Sequence, residues 1–180
     1  MKIEIVDLTE ENLGDAPEFS AYPFSCKYCL YWEHPEEFKY LEEKGKEAMM
    51  KKKMIWLKKT RQEFGNCGKM LYIDGKSVGY AQYAPPKLFP NAANYSVSVS
   101  NDAVLLSCLY ISREEYRYLM SMFLKAIINE LKGKAKAIET FATRKKGNFE
   151  TPSGPMEFYL QNGFKMHKDD KVFPLMRLDI

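Results

Sequence analysis

The sequence has no apolar run long enough to cross a bilayer: the longest, Ala103 to Ile111, is nine residues, and a spanning helix needs about twenty. The opening stretch "MKIEIVDLTEEN" alternates like a strand and has no apolar signal core. A cytoplasmic protein with no membrane partner is therefore expected. Neither sign of charge is in excess, since 27 basic residues face 24 acidic ones, leaving +3 with no basic tail. That balance argues against nucleic acid as a partner, although a local patch for an anionic ligand is compatible with it. Histidine is scarce. His34 and His167 have no nucleophile pattern beside them. Four cysteines fit free thiols in a reducing compartment and call for no disulfide framework.

What is present is the composition of a globular domain. A hydrophobic share of 46% and a charged share of 28% exclude disorder, and 180 residues suffice for one domain, 1–180, with a sizeable core. Residues 2 to 7 read as a strand, followed by a short helix capped at Thr9. Asn12 stands there at the capping-box position usually held by Glu or Gln. After the aromatic loop "AYPFSCKYCLYWEHP", the stretch from Glu36 to Phe64 is helical in composition, with Phe38, Leu41, Ala48 and Met49 as its apolar stripe and Gly45 dividing it. "GKMLYIDGKSVGYAQYAPP" predicts an antiparallel hairpin turning at Asp74-Gly75 and ended by Pro85 and Pro86. "KLFPNAANYSVSVSND" is an excursion before the buried strand Ala103 to Ile111.

Ser112 and Glu115 are spaced as a capping box, which predicts a helix from there to about Lys132, stopped by Gly133. "KAKAIETFA" is a further strand, "GPMEFYLQN" a short helix, and "GFKMHKD" with "KVFPLMRLDI" a closing strand pair. This order is an α/β layout with a mixed sheet.

The element order, the strand "LLSCLYI" and the segment "PSGPMEFYLQNGF" resemble the GNAT superfamily of acyl-coenzyme A dependent N-acetyltransferases over nearly the whole chain. In that segment Tyr159 precedes the Gly163-Phe164 pair with three residues between. Together with "CKYCLYWE" and "GYAQYAPP", it is similar to a branch of small prokaryotic GNAT-like proteins. The resemblance implies a mixed central sheet of about seven strands with helices on both faces, and acyl transfer from acetyl-coenzyme A (acetyl-CoA) to a small-molecule or peptide amine. The donor would enter a splay between the strand Val104 to Ile111 and the strand Ala135 to Ala142. Its pantetheine arm would pair with main chain near Cys108, Leu109, Tyr110 and Ile111, and Ser153 would lie with these donor-binding residues.

Family members hold the pyrophosphate with amides at the start of the following helix, from a loop patterned Arg or Gln, two residues, Gly, one residue, Gly or Ala. Here "SREEYRYLM" departs from that pattern. From Arg113 the glycine positions hold Tyr116 and Tyr118, and from Arg117 they hold Met120 and Met122. Glu114 and Glu115 suit the helix dipole and repel a diphosphate. Arg113, Arg117, Arg144, Lys145 and Lys146 either surround an anion from nearby loops or are solvated surface charge. An intact fold with an impaired donor site is expected.

Tyr159 stands where the superfamily places the acid that protonates the departing thiolate, and its alternative role is aromatic packing. Glu139, inside "AIETF", and Glu33, ending "CLYWE", are the candidate bases for the amine; each is otherwise a surface or ion-paired carboxylate. Cys26-x-x-Cys29 is half of a zinc site, needing Cys67, Cys108 or His34 to complete it, so free thiols are expected and no metal. Tyr22, Phe24, Tyr28, Tyr31 and Trp32 either cover an acceptor pocket or pack a long loop on the sheet. The competing function classes are a catalytically silent binding module that uses the same cleft, and a metal- or redox-sensing domain built on Cys26 and Cys29.

Overall fold

Asp74 and Gly75 make the turn that their chemistry favours, both with positive φ, 47° and 78°. A computed structural model, describing residues 1–18, 25–38, 45–149 and 151–180, places around that turn the strands β2 (Gly68–Ile73) and β3 (Lys76–Ala84). The remaining strands are β1 (Ile3–Asp7), β4 (Ala103–Ile111), β5 (Ala137–Phe141), β6 (Lys165–Lys168) and β7 (Leu175–Asp179). All seven form one sheet in the order β1-β2-β3-β4-β5-β7-β6. Every pairing is antiparallel except β4 with β5. Among the described residues the α-helices are α1 (Pro35–Phe38), α2 (Lys46–Glu63), α3 (Met120–Leu131) and α4 (Met156–Gln161). This is the mixed α/β sheet the element order implies, with helices on both faces.

Each face has its own core. On one, Phe123, Leu124, Ile127 and Leu131 of α3 pack with Phe158 and Tyr159 of α4 against Leu106, Leu109 and Ile138. On the other, Trp56 and Leu57 of α2 join Trp32, Phe89, Tyr80 and Phe141. The buried residues of α2 are Met49, Lys53, Trp56, Leu57 and Thr60. Ala48, expected in that stripe, is exposed, and Leu41 lies outside the described residues. Gly45 does mark the helix start, with φ 76° at the N-cap.

The two predicted caps differ in outcome. Thr9 and Asn12 make the reciprocal pair of a capping box, the Thr9 amide donating to Asn12 Oδ1 at 2.8 Å and the Asn12 amide to Thr9 Oγ1 at 3.4 Å, but the expected short helix is here only a turn followed by the 3-10 helix Leu13–Asp15. Ser112 and Glu115 make no such pair. The Ser112 hydroxyl and amide both donate to the Val78 carbonyl of β3, at 3.1 and 2.8 Å. With that hydroxyl committed to the sheet, residues Glu114–Leu119 wind as a 3-10 turn and the α-helix begins only at Met120.

Candidate functional site

The site begins with a break in the sheet. β4 and β5 pair only over Ala103 to Leu105 with Ala137 to Glu139. Beyond that point β4 stays with β3 as far as Ile111, and β5 stays with β7 as far as Phe141. The register between β3 and β4 shifts where Gln82 faces Cys108 and Tyr83 faces Leu106, so Ser107 is an extra residue in β4. A bulge of this kind bends its strand. The result is a notch between Leu106–Ile111 and the end of β5, where the resemblance places the donor.

The chain's own segment 151–155 lies in that notch. The Leu109 amide donates to the Pro152 carbonyl at 2.9 Å, the Thr143 amide to the Gly154 carbonyl at 3.0 Å, and the Met156 amide to the Thr143 carbonyl at 2.8 Å. Pro155 forms an isolated parallel bridge with Thr143. The Ser153 hydroxyl donates to the Phe141 carbonyl, and Thr140 Oγ1 donates across the break to the Leu106 carbonyl at 2.8 Å. Residues 151–153 bend, Gly154 turns the segment with φ 80°, and Pro155 is extended at φ −81°, ψ 150°.

Tyr159 lines the same notch. Its ring is fully buried against Phe158 and Phe164, and its hydroxyl donates to the Ser153 carbonyl at 2.5 Å. Burial pushes that hydroxyl above the ordinary tyrosine range, which keeps it protonated. Ser153 is itself buried. Of the other expected donor-site residues, Leu109 and Ile111 face the α3 core, Cys108 faces the α2 core, and Tyr110 is half-buried.

The junction after β4 has no glycine at the positions of the family pattern. Arg113 pairs with Glu115 at 2.7 Å, and Arg117 lies 3.7 Å from Glu114 and over the Phe149 ring at 5.0 Å. Arg117 Nε is buried with no hydrogen-bond partner, the one orphaned donor in this junction. Arg144 turns away to the β6–β7 loop, pairing with Asp169 and donating to the Asp170 carbonyl at 2.8 Å. Lys145 and Lys146 are exposed.

The two candidate bases have different surroundings. Glu139 is buried and committed through both oxygens: Arg177 Nη1 bonds Oε1 at 2.8 Å and the Ser100 amide bonds Oε2 at 2.8 Å. Arg177 stands opposite Glu139 in the β5–β7 register and also holds Asp102 and Asp179. Glu33 is buried on the α2 face, where its Oε1 receives Lys53 Nζ and, at 2.7 Å, Gln82 Nε2. Gln82 Nε2 continues to Ser107 Oγ at 3.3 Å, so the network reaches the bulge. Glu33 Oε2 has no partner. Burial is the largest influence and works against the Lys53 charge, but the charge and hydrogen bond of Glu33 together with the neighbouring Cys29 and Cys108 outweigh it and hold the ammonium above the ordinary lysine range.

The cysteines are packing thiols. Cys26, Cys67 and Cys108 are buried and Cys29 is half-buried, and burial pushes the Cys26 and Cys67 thiols up to about 12. Among the described residues no three of His, Cys, Asp and Glu come together in a way that would hold a metal. Within the described part of the aromatic loop, Trp32 packs on the sheet. Trp32 is buried and stacks on Tyr95 and Phe141, at 5.3 and 6.1 Å; Tyr22 and Phe24 lie outside the described residues.

Lys53, Gln82, Thr140 and Tyr95 escaped sequence reasoning. Lys53 had a signal: it falls at the helical spacing of Met49, Trp56, Leu57 and Thr60, on the buried stripe. The others sit in strand or loop runs whose polar and aromatic residues carry no periodic mark.

No protein-family model matches the chain, and no curated protein matches it. Its fold is nevertheless that of several solved structures. A PaiA N-acetyltransferase from Thermoplasma acidophilum, in complex with coenzyme A, superposes with a TM-score of 0.58 at 17% identity, covering 100% of both chains. An N-acetyltransferase from Staphylococcus aureus Mu50 gives 0.59 at 13% identity over 99% of both. The ribosomal-protein-S18-alanine N-acetyltransferase from Escherichia coli gives 0.54 at 14% identity over 99% of this chain and 94% of that one. At such identities the likeness concerns architecture: the chain has the GNAT-like α/β fold.

Proposed function

We propose that the chain is an acyl-CoA-dependent N-acyltransferase with a weakened hold on the donor's diphosphate, acting in the cytoplasm on a small-molecule or peptide amine. The observation that carries this reading is the β4–β5 notch, with a buried, protonated Tyr159 hydroxyl at its lining. The main chain of Leu109 to Ile111 would hold the pantetheine arm, as main chain holds an added strand. Arg117, with its orphaned Nε, is the best-placed side chain for the diphosphate. In the reaction the amine nitrogen bonds the thioester carbon, the carbon–sulfur bond breaks, and Tyr159 gives its proton to the departing sulfur. Glu33 takes the proton from the amine once the bound acceptor reaches its buried, unpartnered Oε2, since both Glu139 oxygens are used.

A second reading, a silent binding module, draws on the same notch: the Leu109 amide and the Tyr159 hydroxyl are already bonded to Pro152 and Ser153. Release of free thiol from acetyl-CoA in the presence of a panel of amines and peptide N-termini separates the two. Transfer that falls about a hundredfold or more in Tyr159→Phe supports the enzyme. No release with any amine, from a protein that binds another ligand, supports the silent module.

A further inference from the structure

Segment 151–155 behaves as a strand added to a gap in the sheet. It satisfies the Leu109 amide on one side and exchanges two main-chain bonds with Thr143 on the other, while Ser153 and Tyr159 fix it from its flanks. An extended ligand carrying amides, such as a pantetheine arm, needs those same groups. We infer that this segment is an autoinhibitory wedge, which must withdraw before an acyl-CoA can reach Leu109 and Tyr159. This rests on the acyltransferase reading above.

The wedge is held by groups that make withdrawal local. Its Pro152 and Pro155 have no amide to leave unpaired, so removing it breaks few donor bonds. Among main-chain amides, Leu109 N–H, Thr143 N–H and Met156 N–H lose their acceptors, and an incoming amide carbonyl replaces the acceptor of Leu109. Tyr159 is released by the same movement, because its hydroxyl donates to the Ser153 carbonyl. Donor entry and liberation of the acid are therefore one event.

Two substitutions loosen the wedge without touching the reacting groups. Gly154→Ala places a Cβ at a positive φ of 80° and 3.4 Å from the Phe149 ring, and Thr151→Ala removes the hydroxyl that accepts the Gly154 amide at 3.2 Å. Coenzyme A binding, measured by calorimetry on the full chain, is expected to tighten about fivefold to thirtyfold in Gly154→Ala and about twofold to tenfold in Thr151→Ala. Thermal unfolding checks that each variant folds, and Thr151→Ala carries the test if Gly154→Ala does not. Hydrogen exchange reads the movement directly: saturating coenzyme A should speed exchange at Thr143 and Met156 while Leu109 stays protected. Equal affinities in wild type and folded variants, with Thr143 and Met156 still protected, overturn the wedge and leave the acyltransferase reading standing. Absence of coenzyme A binding in wild type and in both variants overturns that reading and the wedge with it.

Discussion

Lys53 and Glu33 form an ion pair sealed beneath the sheet, with side chains 3% and 0% exposed. A pair so placed contributes little net stability over an apolar pair, but breaking it strands a charge. Lys53→Met is expected to lower stability by about 3–5 kcal/mol, and the double replacement Lys53→Met with Glu33→Leu by much less. Denaturant unfolding of the two variants checks this. A single variant as stable as wild type would show that the pair is open to water.

Glu139 and Arg177 brace β5 against β7, and we expect Glu139→Gln to cost about 1–3 kcal/mol while leaving thiol release from acetyl-CoA largely intact. Glu33→Gln, in contrast, should abolish most transfer. If Glu139→Gln keeps its fold and loses transfer, Glu139 is the base and Glu33 is not.

Alkaline pH should unfold the protein before it titrates the buried tyrosines. Burial raises the hydroxyls of Tyr80, Tyr83, Tyr95 and Tyr159 and the thiols of Cys26 and Cys67. Groups raised on folding contribute stability that is complete below their unfolded values, near 8.5 for thiols and 10 for tyrosines, and is lost as pH rises through the folded values. By about pH 11 each such tyrosine should have removed about 1.4 kcal/mol. Unfolding midpoints measured from pH 7 upward should fall from about pH 9, with the phenolate signal of these residues appearing together with unfolding. Stability that stays flat beyond pH 11 would contradict this burial.

The sheet was legible because its signals are local. Asp74-Gly75 dictates its hairpin, and the nine-residue apolar run of β4 dictates a strand covered on both faces. The missing glycines after Ile111 were equally plain in the chain. The contents of the notch were not, because "TPSGP" is a generic loop sequence and its partners Leu109 and Thr143 lie far away or across a turn. The buried pair was hidden for a related reason: Lys53 is one of three consecutive lysines, and only the register of α2 separates it from its solvated neighbours. The failed cap at Ser112 shows the same limit, since a local motif lost its hydroxyl to Val78, a residue 34 positions away.

The most direct test of the proposed donor site is calorimetry comparing acetyl-CoA with acetyl-pantetheine, which lacks the diphosphate and nucleotide. The junction after β4 offers paired arginines and a 3-10 turn in place of a glycine-lined amide cradle. Losing two charge-assisted amide contacts, at about 1.5–3 kcal/mol each, weakens binding by roughly a hundredfold to ten-thousandfold. The expected result is weak binding of both compounds with similar affinities. Low-micromolar or tighter binding of acetyl-CoA, lost with acetyl-pantetheine, would show a working diphosphate site and contradict the weakened hold.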